Sequence, residues 1–592
     1  MTLAALLFVF CAQCALYVSV QSADYISKTY LFSDVKEHYQ LSSFTNILSK
    51  YRYLDLVFIG DDHLSVTVQT FEPNNVTYSE PAGYQYSFQH NTNLTDYKIV
   101  GVMPADFNAD KTTDLMVVFA NSKGSAIDYL VALLWNHDGK FSYASYISTK
   151  FSGIPHLLDY NGDRFIDFVC AEESKRYFYL NNVDQPGTFT KQNLDDTEDE
   201  NAPEVDVSET VYVYADLNGD CAADLFMITK LKNKTSIFEY YQATDKTLKK
   251  NFEMAIPSEA AADQYSAPLV TDLDGNGKLD IVIAGCSSIH SGVCQESKIF
   301  TFYNDACHTT SADKCKKETK ACKTYDFSAT TMALDLIVFE KFEHNKDKYG
   351  FKPYDKTDIY SSKFFLRASD VDSDGHVDLV AILKYDESQE AVIFFNKASP
   401  LVPVGRTFQP QWRDDIILED DLTSVYEPFA IAPVDVLGNG NVQFLLIGRN
   451  KNDKADFALS FLVRKDMLDA LWLKVTILCE KCDSLSTTMV GANAFYSTTG
   501  YTGEPEVRYG AQNSQLTSFS LQPPYMLFGL GQQANYIESL TVAYRNTDKD
   551  RSVNKFTFDN LIPNAQVSLF ISFAKLLSCV YISDANESIS KF

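Results

Sequence analysis

The residues of this chain best suited to chemistry are aspartates that recur at a fixed spacing in short loops. An acid or asparagine stands at loop positions 1, 3 and 5, an aspartate closes the loop at position 9, and an apolar stretch follows. Five loops carry the whole pattern, and their candidate metal ligands are Asp106, Asn108, Asp110 and Asp114 in loop 1; Asp159, Asn161, Asp163 and Asp167 in loop 2; Asp216, Asn218, Asp220 and Asp224 in loop 3; Asp272, Asp274, Asn276 and Asp280 in loop 4; and Asp370, Asp372, Asp374 and Asp378 in loop 5.

These oxygens suit calcium, which binds about six to eight hard oxygen ligands in a flexible shell. Side chains at positions 1, 3, 5 and 9, with a backbone carbonyl at position 7, supply most of such a shell. The five loops hold 16 carboxylates at these positions, and crowding them without a cation would raise their pKa values and strain the fold. One loop alone could equally be a solvated turn. Five loops in register predict about five structural calcium ions, whose chelation should lower thermal stability.

The loops differ from EF-hands in how they end. An EF-hand closes with a bidentate glutamate at about position 12 and continues into a helix. Position 12 of the five loops carries side chains that cannot bind calcium, and each loop is followed by a run typical of a buried strand: these residues are Val117, Cys170, Met227, Ile283 and Ala381.

Two further copies of the repeat keep the strand but not the ligands. The degenerate loop, Asp435–Gln443, has Leu437 at position 3 and Gln443 at position 9, and Asp55 ends a copy whose loop has no acids. The closing positions are therefore 55, 114, 167, 224, 280, 378 and 443. Most spacings hold four short strands, which is one propeller blade, and the one long gap indicates a blade plus an insertion.

The sequence thus predicts an all-β protein with two parts. A seven-bladed β-propeller spans residues 25–460, with a Cys-rich insertion at about residues 285–330. After about residue 460 the acidic loops stop, and alternating runs such as Leu471–Ile477 and Ser539–Tyr544 indicate strands. We expect a small β-sandwich over residues 461–571, followed by a tail over 572–592.

Charge argues against two classes of partner. The net charge of −27 makes nucleic acid or an anionic membrane surface an improbable partner. Five bound calcium ions would reduce this charge to about −17, so metal binding would account for part of the acidity.

The N-terminus and four sequons indicate the secretory pathway. Residues 1–22 are apolar, too short for a comfortable membrane span, and end in a pattern suited to signal-peptide cleavage. N-glycosylation acceptors stand at Asn75, Asn93, Asn233 and Asn586. The last apolar stretch, Gln566–Ile582, is too short for a span. We therefore expect an extracellular, secreted protein.

Ten cysteines remain once the leader is removed. Cys479 and Cys482 could be a redox pair or half of a zinc site, but a local disulfide between them is the preferred interpretation because no second such pair accompanies them. The remaining cysteines leave the pairing open, since any of those in the predicted insertion could pair with one outside it: the first set is Cys286, Cys294, Cys307, Cys315 and Cys322, and the second is Cys170, Cys221 and Cys579.

Three segments carry a family resemblance: Gly101–Asp110, Asp216–Asp220 and Thr271–Gly277. They resemble the FG-GAP repeats of integrin α-subunit propellers, and more closely those of the T-cell immunomodulatory protein (linkin) family. The resemblance implies a cell-surface or shed glycoprotein used in adhesion and immune modulation, with structural calcium ions held by the first aspartate of each loop. Family members usually carry a membrane anchor after the β-domain, so it implies a membrane-bound state only for anchored forms. The C-terminal part is similar to the β-rich module of cartilage acidic protein-like propellers.

Two functions remain open at this point. The first is recognition of a cell-surface or extracellular protein by a calcium-binding propeller that is not an enzyme; HExxH and GxSxG motifs are absent from the sequence. The second is a secreted propeller that binds or cleaves carbohydrate, which should have an aromatic-lined pocket with convergent polar groups. Tryptophan favours sugar stacking, and the chain has three: Trp135, Trp412 and Trp472.

Overall fold

The computed structural model is an all-β chain. It describes residues 25–27, 40–45, 53–72, 77–81, 83–89, 91, 94, 96–121, 127–137, 139–173, 175–194, 205–305, 317–318, 320–334, 336–344, 346–355, 357–361, 364, 366–386, 388–400, 405–412, 425–464, 470–479, 487–500, 503–513, 521–531, 536–546, 553–571, 579–584 and 589–591. The predicted leader at 1–22 lies outside these residues.

Within the described residues, seven antiparallel sheets follow one another along the chain, and most are simple four-stranded meanders. Strand β1 (Tyr25–Ser27) precedes sheet 1, which contains β2 (Gln40–Thr45), β3 (Asp55–Ile59), β4 (Ser65–Glu72), β5 (Thr77–Ser79) and β6 (Gln85–Ser87). Sheet 2 contains β7 (Lys98–Ala105), β8 (Asp114–Asn121), β9 (Asp128–His137) and β10 (Lys140–Phe151). Sheet 3 contains β11 (His156–Leu158), β12 (Asp167–Glu172), β13 (Lys175–Asn181) and β14 (Phe189–Asn193).

The next sheets repeat this plan. Sheet 4 contains β15 (Val205–Ala215), β16 (Asp224–Leu231), β17 (Ser236–Ala243) and β18 (Leu248–Ala255). Sheet 5 contains β19 (Gln264–Tyr265), β20 (Leu269–Thr271), β21 (Asp280–His290), β22 (Val293–Phe302) and β23 (Leu336–Phe339). A small hairpin, β24 (Glu343–His344) and β25 (Asp347–Lys348), precedes sheet 6. Sheet 6 contains β26 (Arg367–Ser369), β27 (Asp378–Tyr385), β28 (Ser388–Ala398) and β29 (Arg406–Trp412).

Sheet 7 combines the two ends of this part of the chain. It contains β30 (Tyr426–Val434), β31 (Gln443–Asn450) and β32 (Phe457–Arg464), and β1 is its outer strand. Tyr25 pairs with Arg464 and Ser27 with Leu462 in this antiparallel ladder. Because β32 ends at Arg464, the predicted domain boundary at residue 460 falls inside a strand and is a few residues too early.

Alternate residues of the second strands enter two different cores. In β3, Val57 and Ile59 belong to one buried cluster and Leu56 and Phe58 to another, because successive side chains point to opposite faces. Both faces are covered by neighbouring sheets, which is why these strands are apolar throughout. The shared clusters link each sheet to the next and sheet 7 back to sheet 1: Ile59 with Val117, Val118 with Phe168, Val169 with Leu225, Ile228 with Ile281, Val282 with Leu379, Val380 with Phe444, and Leu445 with Phe58.

The predicted insertion at about residues 285–330 begins later in the structure. Cys286 lies in β21 and Cys294 in β22, and a disulfide joins these paired strands. The connection from β22 to β23, residues 303–335, carries the additional residues and includes helix α1 (Ala329–Leu334). A second disulfide, Cys221–Cys322, ties this connection to loop 3. Cys170 is a buried thiol.

Two sheets form the C-terminal part. Sheet 8 contains β33 (Leu471–Cys479), β34 (Thr487–Thr488), β37 (Met526–Gly531), β40 (Ala565–Ile571), β41 (Cys579–Asp584) and β42 (Ile589–Lys591). Sheet 9 contains β35 (Ala492–Thr499), β36 (Pro505–Gln512), β38 (Ile537–Arg545) and β39 (Val553–Leu561). Val475 and Val542, one from each sheet, belong to the same buried cluster. The predicted tail at 572–592 therefore includes two strands of sheet 8. In the described part of the chain, no helix is long and apolar enough to cross a membrane.

Candidate metal centre

The five candidate loops occupy equivalent places in sheets 2 to 6. Each loop joins two consecutive paired strands of its sheet, and its closing aspartate is the first residue of the second of these two strands: β8, β12, β16, β21 and β27. The five closing aspartates are completely buried, with 0% exposure: Asp114, Asp167, Asp224, Asp280 and Asp378. The sequence repeat therefore places its position 9 at the same point of five sheets.

Each closing aspartate fastens its loop at two points. One carboxylate oxygen accepts the backbone N–H of loop position 2, with donor–acceptor distances from 2.8 Å in loop 4 to 3.2 Å in loop 3. The other oxygen accepts a backbone N–H at or just past the end of the strand that follows the closing aspartate's own strand, at 2.7 to 2.9 Å. The aspartate at position 9 thus uses both of its acceptor oxygens. These backbone donors are Asn136, Asn181, Ala243, Asn304 and Asn396.

The backbone of each loop turns around the carboxylate of the first aspartate. This carboxylate accepts the N–H of position 6, at 2.6 Å in loop 3 and 3.1 Å in loop 2. The position-6 residue has a left-handed backbone in every loop, with φ from 70° to 88°. That conformation lets successive loop oxygens face one centre. The position-6 residues are Lys111, Arg164, Cys221, Gly277 and Gly375.

Loops 4 and 5 bring their carboxylates together most closely. In loop 4, one oxygen each of Asp272, Asp274 and Asp280 lie within 4.8 Å of one another, and all three side chains are buried. In loop 5, oxygens of the aspartates at positions 1, 3 and 5 lie equally close together, but only the aspartate at position 1 is buried. Among the described residues these are the two groups that meet this criterion for a metal ion.

Loops 1 to 3 have asparagine at position 3, and there the geometry differs. The Nδ2 of this asparagine donates to the aspartate at position 5, at 3.0 Å in loop 1, 2.7 Å in loop 2 and 3.1 Å in loop 3. The amide Oδ1 instead accepts the N–H of position 5, at 3.1 Å or less. Positions 3 and 5 are therefore adjacent in every loop, as the ligand prediction requires.

The loops contain acceptor oxygens without donors. Asp106 Oδ1 and Asp372 Oδ1 are buried and have no hydrogen-bond partner. Burial raises the pKa of Asp106 to about 7, and burial together with neighbouring carboxylates raises the pKa of Asp114 to about 8. Burial of this kind penalises the charged form until a cation compensates it. Hard, buried acceptor oxygens of this kind fit calcium by donor type.

Loop 5 also contains a lysine. The ammonium of Lys397 bonds to Asp372 and lies 2.9 Å from Asp374 Oδ2. These contacts raise the pKa of Lys397 above its usual value, although burial opposes them. An ion in loop 5 would share these carboxylates with Lys397.

The C-terminal sheets cover the loops, which the sequence did not predict. Tyr509 of β36 donates its hydroxyl to Asp216 and its N–H to Asp272 Oδ2 at 3.1 Å. Arg545 of β38 donates to the carbonyls of Asp159 and Tyr160 at 3.2 and 2.8 Å. The first aspartates of loops 3 and 4 thus bond to a second domain. Tyr509 and Arg545 belong to no motif, so no sequence signal marked them.

Several predicted sites lie outside the described residues. Asn233 is exposed on the turn between β16 and β17, where its Oδ1 accepts the N–H of Thr235 at 2.9 Å. This position is accessible to glycosylation. The other three acceptors, Asn75, Asn93 and Asn586, and the predicted Cys479–Cys482 pair cannot be placed in the described part.

Known proteins that this chain is similar to in sequence share one family name. A family model described as "ITFG1, C2 domain" matches residues 484–575. The T-cell immunomodulatory protein homolog of Plasmodium falciparum is 25% identical over 545 residues, covering 79% of this chain and 71% of that protein. The human T-cell immunomodulatory protein is 22% identical over 518 residues, covering 83% of this chain and 76% of that protein.

Likeness to solved structures is more distant. The extracellular domains 1–2 of Drosophila semaphorin 1a align with a TM-score of 0.37 and 8% identity, covering 79% of this chain and 94% of that one. That likeness is too remote to support an argument about function.

Proposed function

We infer that the chain belongs to the T-cell immunomodulatory protein family, and from that premise we propose that it is an extracellular, calcium-binding glycoprotein that recognises a protein partner in cell adhesion and immune modulation. Sheets 1 to 7 are the blades of a seven-bladed propeller, and sheets 8 and 9 are a C-terminal β-sandwich. The protein is not an enzyme, and about five calcium ions are structural.

One observation carries the metal assignment. Five loops in equivalent places of five sheets bury an aspartate at 0% exposure and crowd further acids around it. A solvated turn would not bury its carboxylates, because an uncompensated buried charge is costly. Calcium would be held by positions 1, 3, 5 and 9 of each loop. There it would neutralise the carboxylates and hold together the two strands that the loop joins.

Two observations support the propeller. Shared buried clusters link each of the seven sheets to the next and the last to the first. The N-terminal strand β1 joins sheet 7, so a blade is completed by both ends of this part of the chain. Closing a ring in this way leaves only short, protected sheet edges.

The tryptophans favour protein recognition over the carbohydrate alternative. A Cβ on Gly187 would lie 2.5 Å from the ring of Trp135, and a Cβ on Gly440 would lie 2.2 Å from the ring of Trp472. Both rings therefore pack against backbone. Trp412 stacks on His344, with ring centroids 5.1 Å apart. Each of the three rings packs against another part of the protein. They therefore do not combine into one open surface on which a sugar could stack.

Binding to cells tests the function. We expect the labelled mature protein to bind T cells in calcium and to lose this binding in EDTA. Treating the cells with protease should abolish binding, whereas removing their glycans should leave it, because the partner is a protein. Flow cytometry measures both. Binding that survives protease but not glycan removal would contradict the proposal and support the carbohydrate alternative.

A further inference from the structure

The degenerate loop, Asp435–Gln443, keeps the backbone frame of the candidate calcium loops. The N–H of Val436 donates to Gln443 Oε1 at 2.8 Å, just as position 2 of the other loops donates to the closing aspartate. The N–H of Asn439 donates to Asp435 Oδ1 at 2.9 Å, which matches the bond from Asp374 to Asp370 at 3.0 Å in loop 5. The loop is therefore folded like the others although two ligand positions have changed.

The ammonium of Lys474 enters this loop from the C-terminal domain. Lys474 lies on β33, and its Nζ is 3.1 Å from Asp435 Oδ2. The side chains are 2% and 0% exposed, so the ion pair is buried. The ring of Tyr525 lies 4.2 Å from the same Nζ, and the Tyr525 hydroxyl accepts the N–H of Asp435 at 2.6 Å. A fixed positive charge thus meets the first aspartate of the loop.

The Gln443 amide satisfies two more oxygens of the same loop. Its Nε2 donates to the carbonyl oxygen of Asn441 at 2.5 Å and lies 3.4 Å from Asn439 Oδ1. These are the position-7 carbonyl and the position-5 side chain, which are ligand positions in the calcium loops. Leu437 supplies no oxygen at position 3. The oxygens that would face an ion therefore face protein N–H groups.

We propose that the ammonium of Lys474, assisted by the Gln443 amide, replaces the metal ion in the degenerate loop. This loop is then folded at every calcium concentration, and it holds the C-terminal domain on sheet 7 independently of the metal. The contacts of Lys474 and Gln443 with the degenerate loop do not depend on calcium binding elsewhere. Only the comparison with the other loops rests on the proposed function.

The charges explain why lysine and calcium exclude each other here. A buried carboxylate left without its cation is strongly destabilising, so Asp435 requires one positive partner. A calcium ion beside a buried ammonium would add repulsion between like charges at short range. Lys397 of loop 5 is 28% exposed, whereas Lys474 is buried against the first aspartate of its loop, so Lys474 and an ion cannot both occupy the position.

A double-mutant cycle tests the pair. We expect Asp435→Asn and Lys474→Met each to lower the thermal midpoint by several degrees, and the double variant to lose less than the sum. The loss should be the same in calcium and in EDTA. Lys454→Met is the matched control, because its 3.2 Å pair with Asp358 has a lysine that is 64% exposed, and such pairs contribute little. Additive losses, or losses seen only in calcium, would overturn the proposal.

If Lys474→Met is too unstable to purify, adding Asp435→Asn should restore soluble protein, because it removes the unpaired charge. Failure of that rescue would also overturn the proposal.

Restoring the ligands tests the replacement itself. Leu437→Asp with Gln443→Asp gives the loop the same residue types at positions 1, 3, 5 and 9 as loop 4. We expect no additional bound calcium while Lys474 is present and one additional ion after Lys474→Gln, counted by equilibrium dialysis with metal analysis. A gain with Lys474 in place, or none after its removal, would contradict the proposal. Should the unmodified protein bind no calcium, the proposed function fails, and the cycle in EDTA decides this inference separately.

Discussion

Position 9 carries aspartate in the five loops proposed to bind metal and Gln443 in the degenerate loop. Both residue types accept the N–H of position 2, so both fold the loop. They differ in the second atom, which is an oxygen in aspartate and an N–H₂ donor in glutamine. The side chain at position 9 thus decides whether the centre of the loop is lined only by acceptor oxygens or also by an N–H₂ donor.

This difference predicts the effect of a single substitution in loop 4. Asp280→Asn should remove one calcium ion per chain, because it replaces a ligand oxygen at the buried closing position. Asp274→Asn is the matched control and should retain the ion with weaker affinity, because loops 1 to 3 naturally carry asparagine at position 3. Metal analysis after dialysis counts the ions. An unchanged count in Asp280→Asn would show that loop 4 holds no calcium.

A buried histidine predicts the response to acid. His156 is buried, its ring stacks on that of Tyr212 with centroids 5.5 Å apart, and burial lowers its pKa to about 3. The folded protein keeps this ring neutral, whereas the unfolded chain protonates it below its ordinary pKa of 6.5. The stability from the neutral ring is therefore present above pH 6.5 and is lost on acidification toward pH 3, by at most about 1.4 kcal/mol for each pH unit.

Unfolding midpoints in calcium at pH 7 and pH 5 measure this effect. His156→Phe should lose less stability than the unmodified protein over this interval. Tyr212→Phe retains the histidine and should keep the full loss. Equal losses in all three proteins would refute the assignment to His156.

At the residue scale, the sequence predicted the loop aspartates but not their partners. The aspartates repeat at fixed spacing, so their shared role is visible in one chain. Tyr509, Arg545 and Lys474 belong to no repeat; Tyr509 and Arg545 are separated from the loop residues that they contact by 293 and 385 residues, and Lys474 by 39. Isolated residues of this kind carry no local pattern, and folding alone brings them to the loops.

Among the elements, the connection between β22 and β23 is the most irregular. The Cys221–Cys322 disulfide links it to loop 3 across 101 residues of chain, whereas Cys286–Cys294 closes only 8 residues within one hairpin. The sequence prediction placed Cys286, Cys294 and Cys322 in a single insertion and left Cys221 outside it. A cysteine in a paired strand and one in a loop look alike in sequence, so the strands β21 and β22 were wrongly included.

The two disulfides should contribute unequally to stability. In the chain-entropy model, a disulfide stabilises by restricting the unfolded chain, by about 4.7 kcal/mol for 100 residues and about 2.5 kcal/mol for 8. Replacing Cys221 and Cys322 by serine should therefore lower the unfolding midpoint more than replacing Cys286 and Cys294. Thermal unfolding of the two double variants compares them directly. An equal or larger loss from the short disulfide would contradict this explanation.

For the whole molecule, the repeat predicted the order of the sheets but not how the two parts meet. Seven repeat units in the sequence correspond to seven sheets in the described residues, because each unit holds the strands of one sheet. The C-terminal part was predicted as a separate β-domain, and its sheets share a core of their own. Its position over the loops depends on contacts between side chains hundreds of residues apart.

That position would link a metal ion in the loops to the whole fold. Loops 3 and 4 bond to Tyr509 through their first aspartates, so an ion that orders those aspartates also orders the domain contact. The Lys474–Asp435 pair supplies a contact that does not need the ion. We therefore expect chelation to loosen the blades and part of the interface without releasing the C-terminal domain completely.

Counting calcium in the purified mature protein, together with its melting temperature before and after EDTA, tests the central claim most directly. The five loops predict about five bound calcium ions per chain and a marked fall in melting temperature on chelation that added calcium reverses. A protein that contains no calcium after equilibration with the ion, and that melts identically in EDTA, would contradict the assignment of these loops as metal sites.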